Sequence, residues 1–105
     1  MGKKSPAAGN DGANIVMEAH DLIVGARQHD YNHPLADYRR TASIFNSIIG
    51  KEVMTPEMAV LFMLAVKLSR LMFELESGKN IPDNTRDAIG YLGCLNMIRA
   101  SKAGE

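Results

Sequence analysis

The chain has 105 residues, with 12 Lys and Arg against 12 Asp and Glu, giving a formal net charge of zero. With no global basic field, duplex nucleic acid and anionic membrane surfaces are not the expected partners, whereas a small anionic ligand needs only two or three placed cations. A domain of this size buries only about 60–65% of its unfolded surface, so a deep enclosed site is not expected without a second subunit.

The single cysteine, Cys94, cannot form an intramolecular disulfide, and its place inside an apolar helical pattern reads as a core residue. Residues 1–10 are polar and lack the apolar stretch of a signal peptide. The longest apolar run, residues 58–66, is too short to span a bilayer. These features point to a cytoplasmic protein.

In chain order, residues 1–12 are rich in Gly, Lys, Ser and Pro without a period, which predicts a disordered tail before a single domain over 13–100. A first helix is expected from about Ala13 to Arg27 or Gln28, with Asp11 or Asn14 as its cap. Its apolar residues Ile15, Val16, Ala19, Leu22, Ile23 and Ala26 have helical spacing. A polar connection over 27–34 follows. Pro34 then opens a second helix running to Ile49, with Leu35, Tyr38, Ala42, Phe45 and Ile49 as one apolar stripe and Gly50 as its stop.

Thr55, Pro56 and Glu57 mark the start of a third helix, which Gly78 closes. Apolar residues surround much of its circumference, more than one small chain can cover, and this argues for a homo-oligomer. A last helix follows Ile81-Pro82, with Asp83 expected as its cap, and runs to about Ala100, leaving 101–105 as a short tail. Gly90 and Gly93 lie within it, a sign of close helix packing or of backbone approach by a ligand. No strand-like alternation or repeat occurs. The expected fold is all-α, an antiparallel four-helix bundle assembled as a dimer or higher oligomer.

Several polar residues stand out against this frame. Lys67 and Arg70 share one face of an otherwise apolar helix, with Glu74 a turn further on. They pair with Glu74, reach solvent, or hold phosphates, a task that suits the guanidinium fork and the compact ammonium. Asp87, with Tyr91 one turn beyond, reads either as a first-turn acid favoured by the helix dipole or, pointing inward, as a ligand to Mg²⁺. Glu18 and Asp21 form a weaker carboxylate pair on the first helix. The connection over 27–34 offers Arg27, His29, Tyr31 and His33, read either as a plain polar turn or as a ligand-facing loop; a zinc site would need further ligands.

The order Arg27-x-x-x-Tyr31-x-His33-Pro34, then Thr55-Pro56-Glu57, Lys67-x-x-Arg70 and Asp83-Asn84-x-x-Asp87-x-x-Gly90-Tyr91, resembles a family of small phage and prophage proteins of unknown function. It covers residues 13–100. In helix order and in the closing Asp-x-x-Gly-Tyr helix, the chain is also similar to MazG-like all-α nucleotide pyrophosphohydrolases. The resemblance implies a nucleotide or related phosphorylated small molecule as ligand. Arg27, Lys67 and Arg70 would lie on phosphate, Tyr31 and His33 on base or sugar, Tyr91 elsewhere on the ligand, and Asp37 and Asp87 on Mg²⁺. Hydrolysis of that kind would release a nucleoside monophosphate and pyrophosphate.

Two departures from the family patterns matter. Asn32 stands where the phage family usually has Gly, and Asn tolerates left-handed backbone angles better than most residues. The MazG-like Glu-x-x-Asp appears as Asn84-Thr85-Arg86-Asp87, and the earlier Glu-x-x-Glu has only His33 and Asp37 near its place. The resemblance therefore implies binding more strongly than hydrolysis. Rival expectations are a non-catalytic protein that sequesters a host nucleotide signal, and a helical interaction module without a small ligand.

Overall fold

The computed structural model describes residues 9–105, with Ala26 and Arg27 described as backbone only. The expected tail over 1–12 therefore lies largely outside the described residues. The helices are α1 (Asp11–Leu22), a π-helical turn (Ile23–Arg27), α2 (Gln28–Tyr31), α3 (Pro34–Ile49), α4 (Pro56–Ser77) and α5 (Pro82–Ala103). There is no strand among the described residues, and the fold is the all-α bundle expected. Nor is any described helix long and apolar enough to cross a membrane.

The side-chain contacts fix the helix directions. Glu74, near the end of α4, bonds Asn84 at the start of α5, while Lys102 at the end of α5 bonds Glu57 at the start of α4. These two helices are therefore antiparallel. His33, just before α3, reaches Ser101, and Arg39, six residues on, reaches Glu105, four residues further along α5, so α3 and α5 run in the same direction where they meet. The α1 segment packs on α5. The core forms where α3, α4 and α5 meet, around Leu35, Tyr38, Val60, Cys94 and Ile98. Cys94 is buried, as its setting in the sequence implies.

Local chemistry explains the element ends. Thr55 Oγ1 accepts from the Met58 N–H at 3.1 Å and Pro56 takes the first helical position, the start expected for α4. Gly50 and Gly78 close α3 and α4 at φ 76° and 71°, angles that glycine adopts without penalty. Asn32 has φ 72°, a left-handed angle that asparagine tolerates better than most residues, and its Oδ1 accepts from the His33 N–H at 2.9 Å.

Several expectations need correction. The first helix does not stop at Arg27 or Gln28. It continues through a π turn to Tyr31, because nothing before Asn32 and the residue ahead of Pro34 breaks it. The polar connection is thus mostly helix. At its other end this helix begins at Asp11, and Asn10 in the cap position makes no side-chain cap bond.

The expected Asp83 cap is absent as well. Pro82 occupies the first turn, Ile81 takes the cap position, and an Ile side chain cannot accept a hydrogen bond. Glu74 supplies the missing acceptor from α4. Its carboxylate accepts from the Ile81 N–H at 2.8 Å and from Asn84 Nδ2 at 2.6 Å. Glu74 is only 4% exposed, so it is not the partner of Lys67 or Arg70.

The apolar stripe of α3 also drifts. Leu35, Tyr38 and Ala42 are buried, but the next buried position is Asn46, while Phe45 and Ile49 face outward. Asn46 is held inward by the loop after α3: it accepts from the Val53 and Met54 N–H groups and donates to the Met54 carbonyl, all within 3.0 Å. Finally, α5 runs to Ala103, so residues 101–103 are helix and not tail.

Candidate functional site

The cluster richest in chemistry lies on α5, which packs against both α4 and the π turn. Lys67 on α4 places Nζ 3.0 Å from Asp87 Oδ2 on α5, with the two side chains 14% and 22% exposed. Arg86, adjacent to Asp87 in the chain, folds back so that Nε and a terminal nitrogen lie 3.2 and 3.1 Å from Asp87 Oδ1. Two cations thus share one carboxylate. Asp83 touches Arg86 from the solvent side at 3.4 Å, a looser contact that screens little of the charge on the inner face.

Asp87 borders a cleft of about 170 Å³ whose other walls are Leu22, Ile23, Gly90, Tyr91 and Cys94. Ile23 opens the π turn, and such single-turn departures from α geometry re-aim the residues at a site. The glycines of α5 permit the approach. A Cβ on Gly93 would stand 2.9 Å from Ile23 Cδ1, whereas one on Gly90 would be 4.0 Å from the same side chain. Gly93 therefore serves close packing, and Gly90 leaves an open floor. The phenol of Tyr91 makes no hydrogen bond among the described residues, which leaves its hydroxyl available to a ligand.

Of the residues expected from sequence, Asp87 and Tyr91 line this cleft, and Lys67 is joined to it through its ion pair with Asp87. The others lie elsewhere. His33 caps α3, its Nδ1 accepting from the Leu35 N–H at 3.0 Å, which leaves Nε2 to carry the ring proton 3.3 Å from Ser101 Oγ. Tyr31 is exposed at the end of α2. Arg70 is exposed and has no ion pair among the described residues. Asp37 pairs with Arg40 at 3.3 Å. The Arg27 side chain lies outside the described residues, and His29 pairs with its neighbour Asp30 in solvent.

Sequence reasoning did not single out Arg86, Leu22 or Ile23. Arg86 carries a weak signal in its spacing from Asp83 and its adjacency to Asp87. The apolar pair carries none, because their place in the cleft depends on the π turn.

The donor set does not make a Mg²⁺ site of its own. Asp87 is one carboxylate with both oxygens held by cations, and no group of three or more His, Cys, Asp or Glu side chains able to hold a metal gathers among the described residues. A hard divalent ion needs a fuller oxygen shell than this.

No solved structure matches the chain. The gene 55 protein of Mycobacterium phage D29 is 32% identical over 85 residues, covering 81% of this chain and 53% of that protein. The gene 55 protein of Mycobacterium phage L5 is 28% identical over 86 residues, covering 82% of this chain and 53% of that protein. The chain thus spans about half the length of the curated relatives it matches. Residues 14–99 match the family model described as a domain of unknown function, DUF6378, and the chain belongs to that family, which its phage relatives show to be a phage protein family of unknown function.

Proposed function

We propose that the cleft beside Lys67, Arg86 and Asp87 binds a phosphorylated small molecule, a nucleotide in the first instance, in the cytoplasm of a host cell. The observation that carries this reading is the sharing of one carboxylate by two cations. An anion arriving at the cleft takes over Lys67 or Arg86 without leaving a buried charge unpaired, since Asp87 keeps the other cation. Tyr91 offers a ring edge and a phenol beside it, and Arg70 lies one turn further along the α4 helix from Lys67. The MazG-like resemblance of the Asp-x-x-Gly-Tyr helix points to the same ligand class.

A cleft of about 170 Å³ is below the roughly 300 Å³ at which small-molecule pockets begin. It seats one end of a nucleotide and leaves the rest across the open lip. Mg²⁺ enters this reading only as an ion carried on the ligand's phosphates. Since Asp87 is the one carboxylate bordering the cleft, binding without turnover, as in a protein that sequesters a nucleotide, fits the residues better than hydrolysis. A second reading, an interaction module, is favoured by the uncovered apolar face of α3 and α4.

The test is a panel of canonical, modified and cyclic nucleotides with and without Mg²⁺, read by thermal shift and by product release. At least one nucleotide is expected to raise the melting temperature, with affinity reduced about tenfold or more by Lys67→Ala, the loss of a charge-assisted phosphate contact. Pyrophosphate release would make the protein an enzyme. A panel without any shift would remove the nucleotide reading.

A further inference from the structure

The longest apolar feature on the surface is a line along α4. Met58, Leu61, Ala65, Leu68, Met72 and Leu75 follow one another at spacings of three and four residues, and all six are exposed. That is a heptad seam of two and a half repeats, the pattern by which one helix packs on another. It bears no charge, and it lies on the side of α4 away from the core.

We propose that this seam pairs with the same seam of a second copy, antiparallel and about a two-fold axis near the middle of α4. Register supports the orientation. In the antiparallel arrangement Ala65 faces Leu68 of the second copy, Leu61 faces Met72 and Met58 faces Leu75, so small meets large at the centre. A parallel arrangement would set Ala65 against Ala65 and leave a void there.

The ends of the seam fit as well. Leu75 is 80% exposed, the most exposed large apolar side chain described. About 26 Å along α4 at 1.5 Å per residue, Phe45, Met54, Met58, Leu61 and Phe62 line an apolar groove of about 620 Å³. Across the two-fold axis, Leu75 of each copy enters the groove of the other, an isologous knob and hole.

Area and charge agree with this occupant. The seam with its exposed neighbours Phe45, Ile48, Ile49 and Phe62 offers on the order of 800 Å² per copy, at about 150 Å² for a fully exposed large side chain, which is what a stable interface buries on each partner. The net charge of zero sets up no repulsion between copies. The result is a four-helix layer built from two α3–α4 hairpins.

The experiment is the mass of the full-length protein by sedimentation equilibrium across micromolar concentrations, independent of any nucleotide. The expected mass is twice the 11.5 kDa of one chain. Leu68→Glu, and separately Leu75→Lys, should give monomers that keep the helical circular dichroism. Leu92→Glu, an exposed apolar site on α5, should leave the dimer intact. A wild-type monomer at every concentration overturns the proposal, as does a dimer that survives both seam substitutions or one that only Leu92→Glu breaks.

Discussion

Gly90 and Gly93 lie one turn apart on α5 and look alike in sequence, yet a Cβ would meet different surroundings at each. At Gly93 it would press on the end of Ile23, whereas at Gly90 it reaches only ordinary contact distance and projects into the cleft. Glycine inside a helix costs about 1 kcal/mol relative to alanine. Gly90→Ala should therefore stabilise the fold by about 1 kcal/mol, raising the melting temperature by roughly 4–8 °C for a domain of this size. The same methyl fills part of the floor on which a ligand would rest, so nucleotide affinity should fall while stability rises. Opposite signs in thermal melting and ligand titration are the expected result; affinity unchanged would place the ligand elsewhere. Asn32 shows the same dependence on position, asparagine being one of the few residues besides glycine that visits φ 72° readily.

At the scale of whole elements, the α4–α5 hairpin is held by a buried carboxylate that no local rule anticipates. Glu74 accepts from the Ile81 N–H and the Asn84 amide, and its removal leaves two donors without an acceptor at the start of α5. Glu74→Ala should cost about 2–3 kcal/mol, and Glu74→Gln should also destabilise, since an amide N–H would then face Asn84. Urea denaturation measures both, and a cost below about 0.5 kcal/mol for each would show that the clasp does not hold the hairpin. The contrast with Thr55 shows what was legible in the sequence. Thr55-Pro56-Glu57 is a contiguous signal, and α4 starts where it says. The helix identities, the stops at Gly50 and Gly78 and the burial of Cys94 were likewise readable, because each depends on neighbours in the chain. Lys67, Asp87 and Tyr91 stood out by residue type, and the structure sets Asp87 and Tyr91 on the cleft with Lys67 paired to Asp87. Residues whose roles are set by tertiary partners were not: Glu74 looked like a surface partner for Arg70, and Asn46 like nothing at all. The π turn left no mark in the periodicity, and it alone brings Ile23 to the cleft.

For the molecule as a whole, one end of the bundle is closed by polar contacts between helix termini. Lys102 donates to Glu57 at 2.8 Å, Arg39 pairs with Glu105 at 2.8 Å, and His33 meets Ser101. These contacts tie the C-terminal part of α5 to the starts of α3 and α4. The Lys102 ammonium, through its hydrogen bond, holds the Glu57 carboxyl below its ordinary value of 4.5. A carboxyl whose pKa is lowered on folding binds its proton less readily in the folded chain than in the unfolded one. Its contribution is therefore fully present above the ordinary value and is lost as pH falls through the lowered folded value. The urea midpoint should decline below about pH 4.5 more steeply in the wild type than in Glu57→Gln, which has no proton to take up. The difference is small, as partly exposed pairs are, and salt should reduce it further. Lys102→Met should flatten the profile in the same way, because it removes the cation that lowers the Glu57 pKa. Parallel acid profiles for all three proteins would mean that the termini of α4 and α5 are not coupled through this bond.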